Sequence, residues 1–312
     1  MSAARRGVRA VVFAYHDVGV RCLKTLLSAG VEVPLVVTVR DDPKETQWFA
    51  SVAATAIDYG LHVLTPAEAN TPALERAVAD LEPEFIFSFY YRSMLGAPLL
   101  REARRGALNM HGSLLPKYRG RAPVNWAIIN GERESGATLH YMVERADAGD
   151  IVDQQAVPIL EDDDAREVFA KVTVAAEMVL ARALPLLIAG TAPRTPQRVE
   201  AGQYFGRRRP EDGRIDWRQS ALAIHNLVRA VAPPFPGAFT DVEGERWYLH
   251  RTRLASQPAP GSAVQLFAAN GDCFIACADG GVLELLEAAN ARGRIDLGAL
   301  AGTLAGLPLR LV

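Results

Sequence analysis

The sequence is poor in the features that define several common protein classes. Its 312 residues include only three cysteines, Cys22, Cys273 and Cys277, which form neither a CxxC pair nor an even set for disulfides. We therefore expect unpaired thiols in a reducing compartment. The formal net charge is only −2, which gives no support to a general nucleic-acid-binding role.

Long apolar runs and the common catalytic motifs are also missing. No run approaches the ~18 apolar residues of a membrane span. The first apolar run is interrupted by Arg9 and breaks at His16 and Asp17, unlike a signal peptide, so we expect a cytoplasmic protein. The sequence lacks G-x-G-x-x-G, Walker A, HExxH and GxSxG motifs, which disfavours a typical dinucleotide-binding dehydrogenase, a P-loop NTPase, a zincin and a serine hydrolase. We expect no metal.

The order of apolar and helical segments is typical of an α/β protein. Helical patterns separate apolar strand candidates at 8–15, 31–39, 61–66, 83–91 and 106–112. This alternation predicts an open, mostly parallel, Rossmann-like sheet. A further strand is expected at 151–159, and a short turn at 16–19. Helices are expected at 20–30, 46–59, about 165–189 and 216–231.

The last third of the sequence changes in character. Short strands separated by turn signals, among them Asn270-Gly271 and Gly280-Gly281, predict a small antiparallel β domain, most simply a barrel. The segment 190–203 is loop-like, and we interpret it as the linker. The sequence therefore predicts two domains, 1–203 and 204–312.

The clearest chemical signal is the stretch NMHGSLLPKYRGRAP, residues 109–123. Asn109 and His111 are two apart, so on a strand they project from one face. At the carboxyl end of a parallel strand they would meet the crevice where α/β folds bind ligands. An Asn amide can stabilise an oxyanion, and His can move a proton near neutral pH. Since no Ser or Cys is paired with His111, the pattern favours chemistry in which the substrate supplies the nucleophile.

A carboxylate follows in the stretch ERADAGDIV, residues 144–152. Asp147 can orient the imidazole of His111 and fix its tautomer, although spacing alone leaves a plain turn-forming role equally open. The cations Lys117 and Arg119 either lie on a solvated face of the loop or contact an anionic group of a substrate, and both interpretations stay open. The run Arg207–Arg209 is likewise either an exposed charge run or a contact for a diphosphate.

Together, N-x-H-x-S-L-L-P-x-Y-R-G and D-A-G-D-I-V resemble the 10-formyltetrahydrofolate-dependent formyltransferase family. That family includes the methionyl-tRNA, glycinamide ribonucleotide and sugar-nucleotide formyltransferases. The resemblance extends over most of the chain and implies that Asn109, His111 and Asp147 are the catalytic residues. It also implies an OB-like fold for the C-terminal β domain.

Longer stretches, such as VVFAYHDVG, FIFSFYYRSML and YFGRRRPEDGRIDW, resemble the family members that formylate UDP-4-amino-4-deoxy-L-arabinose in lipid A modification and polymyxin resistance. This resemblance implies that Arg121 binds the UDP-amino sugar, with no nucleic acid as partner. It implies 10-formyltetrahydrofolate as co-substrate, bound by Ser93, Met94, Leu95, Val143, Glu144, Arg145, Ala146 and Asp147. A homo-oligomer is an option. One departure is the missing G-x-G-x-x-G of a fused decarboxylating dehydrogenase, so the decarboxylase would be a separate protein.

Three alternatives stay open from the sequence. Methionyl-tRNA formyltransferase shares the cofactor and the three catalytic residues, but this slightly acidic chain shows no lysine-rich stripe for tRNA phosphates. An N-formyltransferase for another amino-sugar nucleotide fits the same residues. A non-catalytic ligand-binding protein on an α/β frame is disfavoured, because Asn109, His111 and Asp147 are all present.

Overall fold

The computed structural model describes residues 7–41, 46–304 and 308–311. The chain forms two compact units, each discontinuous in sequence. The first comprises Met1–Pro123, Ser135–Val157 and Ala170–Phe205, and the second comprises Val124–Glu134, Pro158–Phe169 and Gly206–Val312. The domain boundary between residues 203 and 204 stays a prediction.

The first unit is built on a seven-stranded, mostly parallel sheet. The strands in chain order are β1 (Arg9–Ala14), β2 (Glu32–Val37), β3 (Val63–Leu64), β4 (Phe85–Phe89), β5 (Gly106–His111), β6 (Arg119–Gly120), β7 (Glu134–Tyr141), β8 (Ile151–Pro158) and β9 (Tyr204–Phe205). The order in the sheet is β3-β2-β1-β4-β5-β7-β8, while β6 and β9 form a separate pair. Strands β1 to β5 pair in parallel, and β7 runs antiparallel to β5. The predicted open, mostly parallel sheet is confirmed.

Strand β4 explains why the centre of this sheet is so apolar. All five of its residues are buried, as expected for a strand covered on both faces. The rings of Phe87 and Phe89 stack at 5.5 Å inside the core. The strand order reverses between β1 and β4, and open α/β sheets bind ligands at such a switch point.

Several helices begin next to a residue whose side chain caps them. They are α1 (His16–Ser28), α2 (Val52–Asp58), α3 (Pro72–Ala79), α4 (Ala97–Arg101), α5 (Pro123–Ile129), α6 (Ala165–Ala189), α7 (Ala221–Val231) and α8 (Leu297–Leu304). The turn predicted at 16–19 is wrong, because α1 starts at His16. Helices α2 and α7 start five or six residues later than predicted, since the hydroxyls of Ser51 and Ser220 cap them.

Helix α6 is long and apolar enough to cross a bilayer by length and composition, and half of its most apolar window is buried. Val168, Val172, Ala176 and Leu180 are all fully buried and recur four residues apart. This spacing is typical of a helix that packs one face against a core. A single helix of this kind is weak evidence for a membrane span.

The second unit contains an antiparallel sheet, as predicted. Its strands are β10 (Ala238–Val242), β11 (Glu245–Ala255), β12 (Gln265–Ala269), β13 (Asp272–Ala276), β14 (Val282–Asn290), β15 (Gly293–Arg294) and β16 (Leu309–Arg310). The order is β10-β11-β14-β13-β12-β16, with β15 paired to β14. Asn270 and Gly271 both have positive φ, which suits the two-residue hairpin turn between β12 and β13. Helix α8 was not predicted. All three cysteines of the chain are buried and unpaired.

Candidate active site

Asn109, His111 and Asp147 come together beside strand β5. The Asn109 Nδ2 atom lies 3.4 Å from Asp147 Oδ1, and His111 Nδ1 lies 3.6 Å from the same oxygen. One carboxylate oxygen therefore faces both an amide and an imidazole. The structure brings the three side chains together as the sequence led us to expect, while their catalytic roles stay predictions.

The carboxylate of Asp147 is the centre of this cluster. Asp147 sits in the left-handed region, with φ of 50°, which Asp tolerates better than most residues. Its Oδ2 atom accepts a 2.9 Å hydrogen bond from the backbone N–H of Gly120. Burial alone would raise the pKa of Asp147, but His111, His140 and the Gly120 N–H outweigh it and hold that pKa well below its usual range. Asp147 is therefore an anion near neutral pH.

The ring of His111 is buried between two acceptors. Its Nε2 atom lies 2.8 Å from the carbonyl oxygen of Tyr118, which can only accept, so Nε2 carries a proton. Its Nδ1 atom faces the Asp147 carboxylate at 3.6 Å. Both ring nitrogens therefore face groups that accept hydrogen bonds, and these contacts fix the orientation of the ring.

His140 also belongs to this cluster. Its Nδ1 atom donates to the Tyr141 carbonyl at 2.9 Å. Nε2 lies 3.2 Å from Asn109 Nδ2 and 3.6 Å from Asp147 Oδ1. His140 therefore contacts both the Asn109 amide and the carboxylate. The sequence did not reveal this contact, because it depends on β7 pairing Asn109 with His140.

The turn after His111 is anchored by one hydroxyl group. Thr138, on β7, is fully buried, and its Oγ1 donates to the Ser113 carbonyl at 2.6 Å. The same oxygen accepts from the Leu115 N–H at 3.1 Å and from Gln154 Nε2 at 2.8 Å. Strands β7 and β8 thus hold the Ser-Leu-Leu-Pro turn against the sheet.

Two glycines allow close approaches at either end of this turn. A Cβ atom on Gly112 would overlap the hydroxyl of Tyr90, and one on Gly120 would overlap the carbonyl oxygen of Phe205. Gly120 also has φ of 100°, which side-chain-bearing residues rarely adopt. These glycines let the backbone on both sides of the turn pack directly against neighbouring chain segments.

The residues expected to bind folate and sugar nucleotide share one depression. Ser93, Met94 and Arg121 line an open depression of about 420 Å³ together with Asn70 and Arg92. Arg121 donates to the carbonyl of Arg92 at 3.5 Å, so it lies beside the expected folate residues rather than apart from them. A volume in this range suits a small-molecule site.

The other expected folate residues lie outside that depression's lining. Leu95 packs in the hydrophobic core of the first unit. Val143, Glu144 and Arg145 are exposed in the loop before Asp147, and Ala146 is half-buried. Their backbone groups remain the expected folate contacts.

The neighbouring cations differ in environment. Arg119 is buried, and its Nη2 donates to the Val199 carbonyl at 3.2 Å, so the solvated reading is wrong for Arg119. Lys117 is exposed. In the second unit, Arg208 lies over the ring of Trp126 at 4.8 Å, whereas Arg207 and Arg209 are exposed.

The first βα connection carries a neutral histidine. The ring of His16 stacks on Phe49 with centroids 4.0 Å apart. Burial, assisted by the charge of Arg92, lowers the pKa of His16 to about 3. His16 therefore does not provide a cation for a phosphate at neutral pH. Asp17 is not a helix cap; its carboxylate accepts from the Ala50 N–H.

Comparison with models of protein families identifies the family of this chain. Residues 10–184 match the family model for formyl transferases, and residues 208–297 match the model for the formyl transferase C-terminal domain. The first match alone covers more than half of the chain, so the chain belongs to the formyl transferase family. It is an enzyme that transfers a formyl group.

Solved structures of sugar formyltransferases share the fold. An N-formyltransferase from Helicobacter canadensis, in complex with folinic acid and dTDP-3-aminofucose, is 21% identical with a TM-score of 0.72, covering 92% of this chain and 100% of that one. A sugar 3-N-formyltransferase in the presence of dTDP and 5-N-formyl-THF is 20% identical with a TM-score of 0.70, covering 93% and 99%. A 4-N-formyltransferase from Francisella tularensis is 21% identical with a TM-score of 0.61, covering 77% and 95%.

The anchoring role of Thr138 leads to a stability prediction. Thr138→Val keeps the side-chain shape but leaves the Leu115 N–H and the Gln154 amide without their shared acceptor. We expect the free energy of unfolding to fall by ~1–3 kcal/mol in urea titrations. Thr25→Val, which removes a hydroxyl from the partly exposed helix α1, is the matched control and should cost less than ~0.5 kcal/mol. Equal small losses in both variants would contradict the anchoring role.

Proposed function

We propose that this protein transfers the formyl group of 10-formyltetrahydrofolate to the 4-amino group of UDP-4-amino-4-deoxy-L-arabinose, as a step in lipid A modification. The observation that carries the proposal is the cluster of Asn109, His111 and Asp147 around one carboxylate oxygen in a chain of the formyl transferase family. The folates and sugar nucleotides bound by structures of the same fold support the choice of both substrates.

The side chains around the depression fit the chemistry of a folate. Met94 is 57% exposed and offers apolar surface to an aromatic ring system. Arg92 and Arg121 offer guanidinium groups to carboxylates or phosphates. The site contains no activated nucleophile of its own, which agrees with direct attack by a substrate amine. Bound 10-formyltetrahydrofolate supplies the electrophilic formyl carbon.

The residues of the cluster divide the remaining work. The Asn109 amide exchanges its 3.4 Å contact with Asp147 for a hydrogen bond to the formyl oxygen, where it stabilises the negative charge that develops, and His111 in its protonated form is the second stabilising group. As the new C–N bond forms and the bond from the formyl carbon to the folate nitrogen breaks, His111 gives a proton to the leaving nitrogen and regains one from the attacking amine. Asp147 orients the ring of His111, because its carboxylate is anionic and lies 3.6 Å from Nδ1. His140, whose Nε2 atom lies 3.2 Å from Asn109 Nδ2, orients the Asn109 amide.

The competing substrates differ in what they require of the surface. Transfer to methionyl-tRNA needs extensive phosphate contacts, for which a chain with a net charge of −2 is poorly suited. Transfer to another amino-sugar nucleotide fits the same three residues. Among the residues that the structure describes, no cluster of His, Cys, Asp or Glu could hold a metal ion.

A substrate panel tests the proposal directly. Purified protein is incubated with 10-formyltetrahydrofolate and several UDP- and dTDP-linked amino sugars, with initiator methionyl-tRNA as a further arm. We expect a mass gain of one formyl group with the UDP-linked 4-aminopentose. Transfer only to another amino sugar would contradict the proposed acceptor and assign the enzyme to that sugar nucleotide. Transfer only to the tRNA would overturn the assignment to a sugar.

Asn109→Ala tests the oxyanion role of the amide. Losing one oxyanion donor typically lowers kcat by ~10²–10³, so we expect that fall with little change in KM for either substrate. Asn290→Ala, which removes an amide that contacts Glu245 in the second unit, should leave kcat unchanged. A near-normal kcat in the Asn109 variant excludes the role.

Arg121→Gln tests which substrate this guanidinium binds. Loss of a charge-assisted hydrogen bond should raise the KM for the UDP-amino sugar by ~10–100-fold, while the KM for folate stays near normal. Arg104→Gln, which removes an exposed guanidinium 3.8 Å from Glu82, is the control. A rise confined to the KM for folate would reassign Arg121 to the folate side of the depression.

A further inference from the structure

The segment 194–205, which we name the strap, is more than a connection. Its residues 194–203 were interpreted from the sequence as part of the linker, yet both ends of the strap pair with segments next to the candidate site within the first unit. Near its start, Thr195 forms a β-bridge with Ile151, just after the Asp147 loop. At its end, β9 pairs with β6, just after the turn that follows His111. The strap therefore pairs with chain segments that follow Asp147 and His111.

Gln197 is the contact between the strap and the Asp147 loop. Its Nε2 atom donates to the Gly149 carbonyl at 2.6 Å and to the Asp147 carbonyl at 3.2 Å. Both carbonyls belong to the turn in which Asp147 takes a positive φ. A residue in this conformation persists only when its surroundings hold it there. The two hydrogen bonds of Gln197 supply such support.

The other end of the strap holds the loop that meets the carboxylate from the opposite side. The Arg119 N–H donates to the Gln203 carbonyl at 3.2 Å, and the ring of Tyr118 stacks on Phe205 with centroids 5.0 Å apart. Tyr118 and Gly120 are the two residues whose backbone groups bond His111 and Asp147. The strap thus holds the backbone that orients both side chains.

We propose that Gln197 is a positioning residue, which sets the position of the Asp147 carboxylate relative to His111 by holding the backbone of the Asp147 loop. Only the kinetic test of this proposal rests on the proposed function. Removing the Gln197 amide frees the loop to move, and even a small displacement separates a carboxylate from an imidazole that now lies 3.6 Å away.

Two variants of similar side-chain length separate the amide from the bulk of the residue. Gln197→Met keeps the length and removes the donor, whereas Gln197→Lys keeps a donor for the two carbonyl oxygens. Arg198→Ala, which alters the exposed neighbouring residue of the strap, is the control. The three variants are compared with the unchanged protein after their melting temperatures show that all are folded.

Amide hydrogen exchange tests the loop without any assay of activity. We expect amides in residues 144–150 to exchange about tenfold faster in Gln197→Met, and at close to the original rate in Gln197→Lys and Arg198→Ala. Unchanged exchange in Gln197→Met would overturn the proposal. This test stands even if the unchanged protein transfers no formyl group, an outcome that would defeat the proposed function alone.

Kinetics then separate positioning from mere stabilisation of the loop. In Gln197→Met we expect kcat to fall about tenfold with KM little changed. The acid limb of the kcat profile should move to higher pH, because Asp147 loses partners that hold its pKa low while burial still raises it. Gln197→Lys should restore both. Faster exchange with an unaltered kcat and pH profile would reject the positioning role.

Discussion

A single buried anion organises the candidate site. The Asp147 carboxylate meets the Asn109 amide, the rings of His111 and His140, and the backbone N–H of Gly120. Removing a carboxylate from water is costly unless donors and opposite charge replace the lost hydration. Here those donors come from strands β5, β6 and β7, so the fold must bring these three strands and the Asp147 loop to one point before the anion is stable.

Local sequence patterns were sufficient for the sheet and for the first members of the site. Continuous apolar runs identified β1 and β4, and the two-residue spacing placed Asn109 and His111 on one face of β5. The contributions of His140 and Gln197 were not predictable in the same way. His140 depends on the register of an antiparallel pair, and Gln197 on a loop returning from 50 residues along the chain. Neither strand register nor loop return leaves a strong local signature.

The depression lined by Ser93, Met94 and Arg121 shows why a fold does not determine a substrate. Arg121 lies against Arg92 and next to Ser93 and Met94, so one surface offers cations and apolar area together. A folate and a sugar nucleotide both carry ring systems and anionic groups. Selection between acceptors must therefore come from a few side chains at its rim, since function resides in such sites and not in the fold that carries them.

The close approach of Gly112 to the Tyr90 hydroxyl constrains how this sequence can diverge. A methyl group at residue 112 has no room while the phenol is present, and Phe at residue 90 alone would relieve only part of the overlap. The two residues are thus expected to covary: lineages with a side chain at the first position should have a smaller residue at the second. Such paired replacement would trace, in an alignment, the contact between the residue that follows β4 and the turn that follows His111.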